Sequence, residues 1–418
     1  MTDPSYPRLR ALEAFPVEHE GQRCIALRDP AGFTDQIAVL PQPLLDLVSL
    51  FDGEHSIAQI REILQRRHGD APTPEQIVAV VERFDTAGFL DSDRFRARRR
   101  ALEDTFRRSP VRAPAHAGGA YAGDPAELTA QIDAFFSGPD GPDCGGLEMA
   151  PALPLSADNP GLTALIAPHI DFHRGGSTYG WAYREVLDRS AADLYVILGT
   201  CHAGMSDPFA VTLKPYDTPL GPVPVDRDFY DALDRRAGQD LLASEPAHRA
   251  EHSIEFQAVM LQHLLGRRRP FKILPVLASY LHEAVWMGTD PEADPRVPRF
   301  LEALRDTIAA SSRRVCLIAG VDLAHVGPRF GDPEPNTSRS LADVERADRR
   351  MLESVVVTDP HGFFASVASD RDARRICGLS PIYSLLRLLP GGSSGRLLRY
   401  TQWPDPEGAV SFCAVSYP

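Results

Sequence analysis

The sequence is short of several things. It has six cysteines, at positions 24, 144, 201, 316, 377 and 413, and none forms a CxxC pair. Scattered single cysteines suit a reducing compartment with free thiols. No apolar run approaches the roughly 20 residues that span a bilayer, so no membrane segment is expected. The N-terminus, "MTDPSYPRLRALEAF", lacks the basic-then-apolar pattern of a secretory signal, and a cytoplasmic location is expected. Positive charge is also in deficit. The net charge of −13 argues against non-specific contact with nucleic acid or with anionic lipid. "GGSSG" at 391–395 lacks the lysine and the strand–helix setting of a phosphate loop. No GxSxG elbow is present, which speaks against a serine hydrolase.

What is present divides the 418 residues into two domains and a link. Residues 1–92 read as a small α+β unit. "GQRCIALRD" and "QIAVLP" are short strand patterns, followed by helix patterns at "PLLDLVSLFDG", "SIAQIREILQRRHG" and "TPEQIVAVVERFDTAG". Ser56 is an expected N-cap, Thr73 and Gln76 form a capping box, and Gly69 and Gly88 are stops. "FLDSDRF" then reads as an extended wing, which would complete a winged-helix arrangement. Residues 93–112 read as a basic linker helix, and 91–108 hold seven Arg against four acids. Residues 113–418 form the second domain. From Leu162, apolar runs alternate with amphipathic helices. That alternation predicts an α/β fold with a mostly parallel central sheet flanked by helices.

The chemistry gathers after the apolar runs. "LTALIAP" leads to His169, "LYVILGT" to Cys201 and His202, and "VCLIAGV" to Asp322 and His325. In an open α/β sheet functional groups collect beyond the carboxyl ends of the strands. Three such ends converge on one crevice. "EHSIEFQ" adds Glu251, His252 and Glu255 at a helix start. Cys377, in "RRICGLSPIYSLL", stands beside another helix start, which favours its thiolate. Imidazole and thiolate suit iron, copper or zinc, not magnesium or calcium. The remaining candidates are plainer. His173 is expected to shape a loop, His248, His263 and His282 to lie at the surface, and Cys24, Cys144, Cys316 and Cys413 to be inert thiols.

A set of motifs then occurs in a recognisable order: "AHAGGAYAGDPAEL", "IAPHIDFHRGG", "ILGTCH", "YDTPLGPVPVD", "EHSIEFQ", "ILPVLAS", "DLAHVGPRF" and "ICGLSPI". Over about residues 113–418 the chain resembles the Memo family, which includes the B component of the AmmeMemoRadiSam gene set. The resemblance implies a fold similar to the class III extradiol dioxygenases and a redox metal, Fe(II) or Cu, held by two His and one Cys. By motif these ligands fall on His169, His202 and Cys377. It implies a metal-dependent oxidoreductase acting with O₂ on a small or peptide-borne substrate. Asp322, His325 and His252 match further residues of the family pocket, with acid–base work expected of the histidines. The sequence departs from the family pattern at "IDFHRGG", where relatives read "AGYxYSG". It departs again at "CHA" for "SHH" and at "CGLSP" for "CGRHP". Residues 1–92 resemble a PqqD-like winged-helix domain by "LFDGEHSIAQI…GFL". That resemblance implies a peptide partner added as a strand at a sheet edge, and with it a non-catalytic adaptor as the alternative to an enzyme.

Overall fold

The computed structural model describes residues 5–142 and 161–418, so Cys144 lies outside the described residues. The chain divides into two compact units, residues 1–108 with 327–334, and residues 109–326 with 335–418. Among the described residues no helix is long and apolar enough to cross a membrane.

In the first unit, β1 (Glu13–His19), β2 (Gln22–Arg28) and β3 (Ala38–Leu40) form an antiparallel meander in that order. Three helices follow, Gln42–Val48, Ile57–His68 and Pro74–Ala87. The expected caps are in place. Ser56 with Gln59 and Thr73 with Gln76 close reciprocal capping boxes, and Gly69 and Gly88 end their helices with φ of 74° and 80°. Ile60, Leu64, Ile77, Val81 and Phe84 turn inward onto Leu27, Leu40, Val48 and Phe51. The wing expected at "FLDSDRF" is not a strand. Phe89 and Leu90 are buried, Leu90 makes a single bridge to Leu9, and a helix begins at Asp93. Burial of the two apolar side chains, rather than alternation, is what their hydrophobicity signalled. The helix Asp93–Arg108 belongs to this unit and buries Phe95 and Phe106.

The second unit is built on one sheet flanked by helices. Its strands are β4 (Ala164–Ala167), β5 (Leu194–Thr200), β6 (Phe209–Val211), β7 (Lys272–Ala278), β8 (Val315–Gly320), β9 (His325–Val326), β10 (Arg396–Trp403) and β11 (Ala409–Tyr417). The spatial order is β10-β11-β4-β8-β5-β7-β6, with β9 beside β11. The expected mostly parallel sheet is a mixed one. β4, β8, β5 and β7 run parallel, while β6, β9, β10 and β11 pair antiparallel with their neighbours. The reason is connectivity. β10 and β11 are joined by a short hairpin, which fixes them antiparallel, whereas helical crossovers join the central strands.

Every residue of β4, β5 and β11 is buried. Alternate residues enter different cores: Ala164 and Ile166 one, Leu165 and Ala167 the other. A sheet covered on both faces explains the unbroken apolar runs. The parallel strands all point their carboxyl ends one way, so His169, His202 and Asp322, each two residues beyond a strand, emerge along one edge.

Candidate metal centre

His169 follows Pro168 at the end of β4 and is 1% exposed. Its backbone N–H donates to Asp322 Oδ1 at 3.0 Å, and the N–H of Ile170 donates to the same oxygen at 3.2 Å. Its Nδ1 lies 2.9 Å from the carbonyl oxygen of Gly320. A carbonyl only accepts, so Nδ1 carries the proton and Nε2 keeps its lone pair. That lone pair lies 3.1 Å from Cys377 Sγ. Burial, with His202 adding to it, pushes the imidazole pKa down to about 3. At neutral pH the ring is therefore uncharged, the form that binds metal.

The other two imidazoles are set by one carboxylate. Glu251 is 4% exposed. Its Oε1 lies 3.0 Å from His202 Nδ1 and 3.4 Å from His252 Nδ1. It also accepts the backbone N–H groups of His202, His252 and Ser253 at 2.8, 2.8 and 3.0 Å. These donors outweigh burial and hold the carboxyl well below the usual carboxylate range. A carboxylate facing both Nδ1 atoms turns both Nε2 atoms toward a ligand, the common outer-sphere device of metal sites. The rings of His202 and His252 stack at 4.5 Å and 18°, and each lies about 5 Å from His169, at 4.9 and 5.0 Å. Ligand nitrogens of the three all fall within 4.8 Å of one another. Their side chains differ in access. His169 is sealed at 2%, whereas His202 and His252 are each 29% exposed and face the approach.

Cys377 precedes the helix Leu379–Leu388 by two residues. The helix start was expected to favour the thiolate. Instead burial, reinforced by Asp322 and Glu251, pushes the thiol pKa well up. The thiol donates to the Asp322 carbonyl at 3.6 Å. Gly378 must be glycine here, because a Cβ would lie 2.6 Å from Val321 Cβ and 2.7 Å from the Asp322 carbonyl oxygen. Burial likewise raises the Asp322 carboxyl to about 6 and lowers His325 to about 4. His325 Nδ1 lies 3.2 Å from the Leu323 carbonyl oxygen.

The structure thus brings His169, His202 and His252 into one cluster and sets Cys377 against His169. Asp322 lies beneath His169, its Oδ2 3.7 Å from Nε2. His173 stands apart, 63% exposed and beside Asp171. His248, expected at the surface, is buried. Tyr216 OH lies 2.9 Å from its Nδ1, and its Nε2 lies 3.0 Å from the Ala210 carbonyl oxygen, so its polar atoms are satisfied inside. His263 is also mostly covered and binds Asp133, whereas His282 is half exposed.

The sequence pattern marks Glu251 and Glu255 without giving either a role, and it does not reveal Arg112, the partner of Glu255. Arg112 and Glu255 form a wholly buried ion pair. Arg112 donates to the carbonyls of His248 and Glu251 at 3.0 and 2.6 Å. Tyr121 donates to Glu255 at 2.5 Å. An arginine and a glutamate at opposite ends of a long sequence gap carry no local signal of pairing.

Three imidazoles with Nδ1 tied to acceptors, and a thiol in contact with one of them, make a donor set for a late first-row transition ion. The residues therefore fit iron or copper, and equally zinc.

The Memo family, described as Memo-like protein, matches residues 112–418. A MEMO1 family protein of Aquifex aeolicus is 26% identical over 395 residues, covering 94% of this chain and 95% of its own length. That match extends into the N-terminal unit. A MEMO1 family protein of Methanopyrus kandleri is 29% identical over 307 residues, covering 72% of this chain and 95% of its own. Among solved structures, an uncharacterized protein of Escherichia coli K12 aligns with a TM-score of 0.35 and 11% identity, over 62% of this chain and all of that one. The chain described here belongs to the Memo family.

Proposed function

We propose that this protein is a cytoplasmic non-haem redox enzyme that holds Fe(II), or Cu, on His169, His202 and the thiolate of Cys377. The observation that carries the reading is the 3.1 Å approach of Cys377 Sγ to His169 Nε2, in a pocket where three imidazoles already present ligand nitrogens. When bound there, such an ion supplies one-electron chemistry toward O₂ and an electron-rich substrate, as in the class III extradiol dioxygenases. The chain's own residues do the rest. Glu251 and the Gly320 carbonyl fix ring orientation. Asp322 pins the backbone of residues 169 and 170. His325 and His252 are neutral at pH 7, because burial lowers both, and each can take a proton from a substrate hydroxyl. The substrate, small or peptide-borne, enters over the exposed edges of His202 and His252.

Metal analysis of anaerobically purified protein tests this. One equivalent of iron or copper is expected in the wild type, with loss in Cys377→Ala. No bound iron or copper, or full retention in that variant, refutes the reading.

One observation favours a second reading, an adaptor that recruits a peptide through its PqqD-like unit. β3 is an edge strand, and a groove of about 910 Å³ runs between it and the helix Pro74–Ala87, lined by Ile37, Val39, Leu44, Val80 and Phe84. An extended peptide could add to that edge. Tight peptide binding by the full chain without oxygen consumption would favour the adaptor.

A further inference from the structure

Cys377 ends a turn with an unusual backbone. Arg371, Asp372 and Arg375 have φ of 55°, 56° and 54°, the left-handed region that residues with a Cβ rarely occupy. Such a turn persists only where its surroundings over-determine it. Here the determinants meet at Asp348, which is wholly buried on the helix Ser338–Val356. One carboxylate oxygen pairs with the guanidinium of Arg374. The other accepts the hydroxyls of Ser411 and Tyr400 at 2.6 and 2.9 Å.

Ser411 carries the connection onward to the segment that holds Asp322 and His325. Leu323 N–H donates to the Ser411 carbonyl at 2.7 Å, and Ala324 N–H to Ser411 Oγ at 2.9 Å. The turn grips the same segment directly. His325 N–H donates to the Arg374 carbonyl at 2.7 Å, and Arg375 Nη1 donates to the His325 carbonyl at 3.0 Å. Cys377 and Gly378 N–H donate to the carbonyls of Leu323 and Asp322 at 3.3 and 3.1 Å. Within the turn, Ile376 N–H donates to Asp372 at 2.7 Å.

We infer that the Asp348–Arg374 ion pair is a positioning device that locks the turn 371–377 onto residues 322–325, so that the Cys377 sulfur and the His325 imidazole hold one fixed geometry. A buried ion pair is a poor source of net stability, because desolvation of both charges offsets most of their attraction. Its product here is a tie between the helix Ser338–Val356 and the turn, whose own hydrogen bonds then hold residues 322–325. Neither partner touches the donor atoms, so both act through Cys377 and His325. The inference rests on the proposed function only for the use to which that geometry is put.

The test reads the geometry in metal-free full-length protein. Alkylation of Cys377 by iodoacetamide is followed by mass spectrometry of its peptide, and the His325 ring by NMR. Asp348→Asn and Arg374→Met break the joint. Arg387→Met breaks the Arg387–Glu292 pair on the helix that follows Cys377, and serves as the control for general destabilisation. In both joint variants Cys377 alkylation rises roughly ten-fold, since losing one partner of a buried pair loosens what it holds, and the His325 signals move with it. The control leaves both unchanged. Ser411→Ala removes the hydroxyl's bonds to Asp348 and to the Ala324 N–H while leaving the Asp348–Arg374 pair in place, and is expected to shift His325 even if the other variants fail to fold. An unchanged Cys377 rate in a cooperatively melting joint variant overturns the inference. So does an unmoved His325 in Ser411→Ala, or the same rise in the control. Absence of iron or copper from wild-type protein would sink the proposed function and leave this result standing.

Discussion

Replacing Glu251 by Gln changes one atom and tests the imidazole side of the centre. Oε1 faces His202 Nδ1 and the N–H groups of His252 and Ser253, while Oε2 faces the His202 N–H. A glutamine oxygen can replace only one of these. With the oxygen at the Oε1 position, the amide NH₂ confronts the His202 N–H, donor against donor. One buried donor is then unsatisfied, at about 1–3 kcal/mol of stability. His202 also loses the charge that holds its ring. Disturbing an outer partner of this kind weakens metal binding about 10–100-fold, or about 1.4–2.7 kcal/mol. Anaerobic competition for Fe(II) against a chromophoric chelator measures the affinity, and thermal unfolding measures the stability. A variant that melts cooperatively and binds within about two-fold of wild type would show that Glu251 does not set the tautomers.

Three further outcomes follow from the same geometry. Because the Cys377 thiol is held protonated, uptake of a divalent ion is expected to release about one proton per ion near pH 7. Calorimetry in buffers of different ionisation enthalpy reads this release, and Cys377→Ala abolishes it. Acid weakens the metal-free fold. His169, His248 and His325 have folded pKa values of about 3, about 3 and about 4 against 6.5, so their contribution is complete above 6.5 and lost as pH falls toward those values. Between pH 7 and 5 each costs about 2 kcal/mol, while Asp322, raised to about 6, returns about 1. Urea midpoints that do not fall between pH 7 and 5 would contradict this. Gly320→Ala places a Cβ 2.5 Å from the Ser253 carbonyl oxygen, which costs about 1–3 kcal/mol by overpacking and shifts the His252 segment. A lowered melting temperature together with weaker metal binding is the expected result.

The strand ends were legible because a doubly covered sheet writes unbroken apolar runs. "LYVILGT" and "VCLIAGV" became β5 and β8 with the histidine and aspartate just beyond them. The caps at Ser56 and Thr73 were legible because a capping box is a local pattern. Sheet direction was not. β10 shows no alternation of burial, and β9 is two residues long, held by pairing with β11. The wing was misread because Phe89 and Leu90 are apolar for burial's sake. His248 was misread because a histidine buried with both nitrogens satisfied looks, in sequence, like one in water. The pairing of Glu251 with His202, of Arg112 with Glu255 and of Asp348 with Arg374 spans 49, 143 and 26 positions, so no local pattern could reveal it.

The donors come from opposite ends of the second unit. His169 and Cys377 are separated by 208 positions, and His169 and Gly320 by 151. Closing loops of that size is entropically slow, and the reward arrives only after the parallel core has zipped. The complete donor set therefore forms only once the sheet has assembled. On the proposed reading, metallation would follow assembly of the sheet, and a chelator is expected to remove the ion and leave the sheet standing.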